Sequence, residues 1–307
     1  MRSDKIELGG LITGMRQAYA RGENAMAWAK ANSKKHKNTV FSTLVAYDLQ
    51  AGTYVEYAKK NSEFTNKWCG EIASLLKPYI EPDDHLLEIG VGEATTLVGT
   101  IKSLDEPSIV AFGLDISWSR IKVAQRWAAE NSAKANFFVG NLFQIPLADN
   151  SVDIIYTSHS LEPNGGNELS AITELLRVAR KAVVLVEPIY ELADKESQER
   201  MTEHGYVRSL KSTAEMFDVR IEKYELLNIT ANPKNPSGVV AIKKNHQLPK
   251  KHIKSGEASW QCPVTGSPLL DKGHYFYSGQ VGLAYPVLCE VPLLRSEHVV
   301  VASRLGS

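Results

Sequence analysis

Residues 86–95 read Leu-Leu-Glu-Ile-Gly-Val-Gly-Glu-Ala-Thr, and they hold the densest chemistry in the chain. An apolar run carrying Glu88 at its end, followed by Gly90 and Gly92, describes a buried strand, a tight turn and a helix start. In an open α/β sheet this is where a nucleotide-like cofactor sits. The glycines let the backbone bend and approach a ligand where a side chain would collide. Glu88 narrows the chemistry further. A pyrophosphate needs free backbone N–H groups and no neighbouring anion, whereas a carboxylate suits an ammonium group through charge-assisted hydrogen bonds.

Three more apolar runs end in polar residues of the right kind. The run 108–114 closes on Asp115, placed to accept hydrogen bonds from both hydroxyls of a ribose, with Ile116 against an adenine face. The run 135–139 leads into Gly140-Asn141-Leu142, where a polar side chain would meet the adenine amino group. The run 151–157 opens onto Ser158-His159-Ser160-Leu161-Glu162. In this order the four segments resemble the Rossmann-like (class I) S-adenosylmethionine-dependent methyltransferases, over about residues 63 to 245. The resemblance implies S-adenosylmethionine as cofactor, with Glu88, Gly90, Gly92, Asp115, Ile116, Asn141, Leu142 and Ser158 as its binding residues. Three positions depart from the family pattern. Asn141 stands where Asp is usual, Ala94 replaces the third glycine, and Glu162-Pro163-Asn164-Gly165-Gly166 replaces a direct entry into a helix. That last departure predicts a reshaped loop beside the transferable methyl group.

Methyl transfer from a sulfonium is an in-line displacement, so the protein mainly aligns and desolvates the partners. A base is required only when the acceptor must lose a proton. His159 leads the candidates, because an imidazole titrates near working pH; Glu162, Glu187 and Tyr190 follow. The bland alternative for His159 is a ring packed beneath its loop. Upstream, the segment 44–54 is richer in polar and aromatic groups than a linker. Tyr47, Asp48, Gln50 and Tyr54 are candidate lid residues over the cofactor and acceptor; the alternative is a helix-capping segment whose tyrosines simply pack.

The resemblance implies an α/β fold: a seven-stranded, mostly parallel sheet with helices on both faces, here with an N-terminal helical lid and a small C-terminal β unit. The Ala-rich stretch 17–31 predicts a helix, and Phe64, Trp68, Ile72, Leu75 and Leu76 mark one face of another. Further helices are expected at about 93–103, 117–132 and 167–179. The wholly apolar run 182–186 is a central strand covered on both faces. A mostly helical span then runs to about 217, and 219–227 with 237–243 form a closing antiparallel pair. The expected units are a lid at 1–62, a cofactor domain at 63–245, a linker at 246–258 and a small domain at 259–307.

The last unit, from Trp260-Gln261-Cys262-Pro263-Val264-Thr265-Gly266 through Val291-Pro292, resembles the small zinc-ribbon-like domains that activate methyltransferases. Tetrahedral zinc needs four donors. Cys262 is followed by Thr265 where a second cysteine belongs, and Cys289 has no partner three residues away. No metal is expected there, although His274 or His298 offers a donor for a mixed site.

The chain has 307 residues, 43% hydrophobic and 23% charged, as an ordinary globular protein has. With 35 basic and 35 acidic residues, no global field draws it to nucleic acid or an anionic membrane. The basic run 243–254 reads as a solvated linker rather than a phosphate contact. No apolar run is long enough to span a bilayer, the N-terminus lacks a signal-peptide core, and three scattered cysteines build no disulfide framework. A cytoplasmic location is expected. The favoured expectation is methyl transfer to a small-molecule acceptor, in a sugar or secondary-metabolite pathway. The rivals are an RNA methyltransferase that grips RNA with its ribbon-like unit, and a cofactor-binding scaffold without chemistry.

Overall fold

The structure is a computed structural model that describes residues 2–32, 39–230, 232–246 and 258–305. Its centre is a seven-stranded sheet built from β1 (His85–Ile89), β2 (Val110–Asp115), β3 (Ala135–Val139), β4 (Val152–Ser158), β5 (Ala179–Pro188), β6 (Val219–Leu226) and β7 (Ser237–Lys244). The order is β3-β2-β1-β4-β5-β7-β6, and β7 runs antiparallel to both its neighbours. Every residue of β1 is buried, as a strand between two helical layers must be. Alternate side chains feed opposite cores: Leu87, Phe112, Ile155 and Val183 on one face, Leu86, Ala111, Ile154 and Val184 on the other.

Helices α1 (Arg2–Ala20), α2 (Ala25–Asn32), α3 (Val40–Leu49), α4 (Thr53–Lys60) and α5 (Ser62–Leu76) precede the sheet. The expected helix at 17–31 is broken in two. Gly22 takes φ +78°, and Asn24 Oδ1 accepts the N–H of Ala27 at 3.0 Å to start the second helix. Within the sheet domain lie α6 (Thr95–Leu104), α7 (Trp118–Glu130), α8 (Glu168–Val178), α9 (Lys195–His204) and α10 (Leu210–Ala214). At the crossing of α5 and α6, a Cβ on Gly99 would come within 2.4 Å of Cys69 Sγ, so glycine sets that approach. Strand β5 begins three residues earlier than its apolar run, at Ala179. Arg180 and Lys181 can enter the interior because their charges are paired: Lys181 Nζ lies 2.7 Å from Asp84 Oδ2, and Arg180 pairs with Asp153.

The C-terminal unit contains β8 (Leu270–Asp271), β9 (Tyr275–Ser278), β10 (Leu283–Leu288), β11 (Val291–Pro292) and β12 (Val300–Val301), all antiparallel. It closes the exposed edge of the main sheet. Leu294 donates its N–H to Val139 O at 2.9 Å, and the Trp260 ring stands edge-on to Phe138 and Phe276 at 5.0 and 5.2 Å. Cys262 Sγ meets Tyr285 Oη at 3.1 Å, and Cys289 lies exposed on the β10–β11 turn. Among the described residues no group of three or more His, Cys, Asp or Glu could hold a metal ion. Residues 247–257, most of the expected linker and of its basic run, lie outside the described residues. No described helix is long and apolar enough to cross a membrane.

Candidate active site

Strand order reverses between β1 and β4, and the crevice beyond their carboxyl ends is where an open α/β sheet binds ligands. A cavity of about 780 Å³ occupies it. Gly90 (φ +68°) and Gly92 (φ +54°) form its floor in left-handed conformations that glycine adopts without strain. A Cβ on Gly90 would come within 2.3 Å of Ser160 Cβ, so the turn after β1 and the loop after β4 fit only with glycine there. Ala94, in place of the third glycine, also takes φ +59°, at the usual cost of about 1 kcal/mol for a non-glycine residue.

Glu88 lies at the inner wall, fully buried, and accepts the Tyr156 hydroxyl at 2.7 Å. Burial pushes its carboxyl up to about 8; Asp115 adds to this, and the Tyr156 hydrogen bond opposes it. An ammonium ion brought against this group would reverse that penalty. Asp115 closes β2 as expected. Its Oδ2 accepts the N–H of Gly92 at 2.9 Å and its Oδ1 that of Ser117 at 2.8 Å, which fixes the carboxylate while leaving lone pairs for two hydroxyls. Ile116, Asn141 and Leu142 line the far end of the cavity, and Asn141 Oδ1 is engaged by the N–H of Phe143 at 3.0 Å. Ser158 lines the opposite side, where Trp68 Nε1 donates to its hydroxyl at 3.3 Å. Beside Gly90, Ser160 Oγ is buried and without a partner. A glycine cradle, an acidic wall suited to an ammonium, a carboxylate suited to a ribose and an orphaned hydroxyl fit an S-adenosyl ligand.

His159 also lines the cavity, in a left-handed conformation (φ +55°) held by its N–H to Val186 O at 2.9 Å. Its Nδ1 lies 2.7 Å from Glu162 Oε2 and its Nε2 2.8 Å from Ser237 Oγ. Burial opposes charge on the imidazole, yet the hydrogen bond and charge of Glu162 win, and the net shift is upward. Glu162 is driven down, since contacts with His159, Tyr206 and Asn235 together outweigh its burial. Each partner thus favours the charged form of the other.

Two of the expected bases stand elsewhere. Glu187 is buried and accepts the N–H groups of Ser160, Leu161 and Glu162 at 3.0, 3.0 and 3.1 Å. It shapes the loop from beneath and does not line the cavity. Tyr190 lies outside the cavity, under the Arg208 guanidinium at 4.9 Å. Of the four lid candidates, Tyr47, Gln50 and Tyr54 line the cavity. Asp48 faces away and accepts from Ser117 Oγ at 2.6 Å, so it fastens α3 to the start of α7.

Residues not singled out from the sequence complete the wall. Glu93 Oε1 and Oε2 accept the N–H groups of Gly52 and Val55 at 2.9 and 2.8 Å, capping α4 from the glycine turn. Arg120 lies 3.7 Å from Glu93 and places its guanidinium 4.2 Å from the Tyr54 ring and 5.3 Å from that of Tyr47. Arg200, Tyr206 and Asn235 bound the end beyond His159. Glu93 follows Gly92 directly, a hint available in the sequence. The others carry no local pattern.

Residues 86–182 match the methyltransferase domain family. The chain is 29% identical over 147 residues to the probable methyltransferase ltbC of Aspergillus luteorubrus, covering 45% of this chain and 47% of that protein. It is 25% identical over 154 residues to ajmaline N-methyltransferase of Rauvolfia serpentina, covering 47% and 52%. The chain thus spans about half the length of the curated relatives it matches. A SAM-dependent methyltransferase structure from Methanosarcina mazei aligns with a TM-score of 0.47 and 19% identity, over 55% of this chain and 96% of that one. Within the matched region, Glu88, Gly90, Gly92 and Asp115 line one end of the cavity, and His159 and Glu162 line it beyond them.

Proposed function

We propose that this chain transfers a methyl group to a small-molecule acceptor enclosed between the methyltransferase domain and the N-terminal helices. The observation that carries the reading is the continuity of one cavity from Asp115 and Gly90 to the His159–Glu162 pair, under a roof that includes Tyr47, Tyr54 and Trp68. The bound sulfonium would supply the methyl carbon, with the bonding pair staying on sulfur as the acceptor's lone pair forms the new bond. The chain's residues supply alignment and exclusion of water. Neutral His159 would be the proton acceptor where one is needed, and Glu162 orients its ring through Nδ1. The name of the plant relative gives N-methylation of ajmaline, which supports a nitrogen acceptor here.

This reading divides the chain into a helical lid at 1–62, a cofactor domain at 63–245, a linker at 246–258 and a small ribbon-like unit at 259–307 that needs no metal. The contacts of the last unit with Val139 and Phe138 support a buttressing role. The test is transfer of labelled methyl from S-adenosylmethionine to a panel of small amines and hydroxy compounds, with bulk RNA alongside. Labelled small molecules and unlabelled RNA are expected. Labelled RNA, or no labelled product despite cofactor binding, overturns the reading.

A further inference from the structure

Beyond His159 the cavity wall carries two buried polar atoms that the protein leaves unpaired. Arg200 Nη1, on α9, has no hydrogen-bond partner, and Arg200 enters no ion pair among the described residues. Its guanidinium lies 5.7 Å from the Tyr206 ring centroid, a contact that limits where the charge can point. Asn235 precedes β7, and its side chain donates Nδ2 to Glu162 Oε2 at 3.1 Å. That carboxylate accepts and does not donate, so the amide orientation is set by its partner and Oδ1 is the free atom. Oδ1 is buried without a partner. Both side chains line the cavity. Buried polar groups in folded proteins are nearly always satisfied, so an orphaned donor and an orphaned acceptor on one ligand wall describe the ligand by complement.

We propose that the acceptor is a small amino-carboxylic acid, its carboxylate held by Arg200 and an N–H of its amine donated to Asn235 Oδ1. This rests on the methyltransferase reading above. A carboxylate is favoured over a phosphate dianion because the Glu162 carboxylate also lines the cavity and Arg200, in no ion pair among the described residues, offers a single positive charge. The N–H contact to Asn235 Oδ1 leaves the nitrogen lone pair free to face the methyl group. Transfer then forms an N–C bond as the C–S bond breaks, the pair passing to sulfur and the positive charge to nitrogen. The product proton stays on the amine until release, so a primary or secondary amine needs no base during the step.

The test is calorimetric titration of the full chain with aromatic, aliphatic and cyclic amino acids, each paired with its primary amide, and with phenyl phosphate. Titrations are run with and without S-adenosylhomocysteine. For at least one amino acid, binding is expected to exceed that of its amide on the order of tenfold to a hundredfold, the range of one charge-assisted hydrogen bond. In Arg200→Met that ratio should fall to about one, with S-adenosylhomocysteine affinity unchanged as the check on folding. Amides bound as well as acids, tighter binding of phenyl phosphate, no binding of any probe, or a preference that survives Arg200→Met each overturn the proposal. Failure of S-adenosylhomocysteine to bind would instead remove the methyltransferase reading, while the acid-to-amide ratio without it still reports on Arg200.

Discussion

Glu88 and His159 show how burial and a single neighbour set opposite protonation states within one cavity. The Glu88 carboxyl, pushed up to about 8 by burial, is mostly protonated at pH 7. A ligand ammonium favours the ionised form, so cofactor binding at pH 7 should release a proton and strengthen as pH rises toward 8. Calorimetry in buffers of different ionisation enthalpy measures that proton. Glu88→Gln should bind more weakly, by about 1–3 kcal/mol, with no proton released; a proton released unchanged in that variant would place the linkage on another group. The sign is reversed at His159, whose folded value lies above the ordinary imidazole. Its pairing stabilises the fold below about pH 6.5, and that contribution is lost as pH rises through the raised value. Where neutral His159 takes the acceptor's proton, kcat/KM climbs with pH through that same raised value. In Glu162→Gln the hydrogen bond to a charged partner is gone and burial dominates, so the rising limb should move to lower pH. A limb that stays put means that another group titrates.

At the scale of elements, helix α4 is tied to the glycine turn after β1 through the Glu93 carboxylate. Helix α4 starts at Gly52 with φ +105° and has no side-chain cap of its own. Glu93 caps it from the opposite side of the site, and Arg120 lies between Glu93 and the two tyrosines. Glu93→Ala strands two backbone N–H groups at a local cost of about 1–2 kcal/mol. Hydrogen exchange at Val55 should accelerate roughly tenfold, while amides of β1 and β4 keep their protection. Equal acceleration across the sheet would show that the variant loosens the whole domain rather than the lid. The same contact explains why the 44–54 segment was only partly legible. Its polar residues marked it as functional, but Asp48 and Gln50 diverge at the C-terminal end of α3, and only the helix orientation decides which one reaches the cavity.

At the scale of the molecule, two cores cover the faces of one sheet and the C-terminal unit seals its β3 edge. Cys262, Phe276, Tyr285 and Leu294 belong to the same core as Phe138 and Leu114, so this unit is held by packing. The purified protein should contain no stoichiometric zinc, and a chelator should leave its melting temperature unchanged, because the ligand set is incomplete. One zinc per chain by elemental analysis would overturn this.

What the sequence determined by itself is local: continuous apolar runs, the glycine turn after Glu88, Asp115 at the end of β2 and the antiparallel closing pair all follow from residue order. Such features depend on neighbours a few positions away. Tertiary structure decided what depends on contacts between distant segments. Glu187 and Glu162 are both carboxylates at strand ends, yet one supports a loop backbone and the other pairs with His159. Glu93 reaches α4 across 38 and 41 positions, and Arg200 and Asn235 meet the cavity from α9 and the turn before β7. No periodicity records these meetings, because a side chain's partner is set by where the folded backbone carries it.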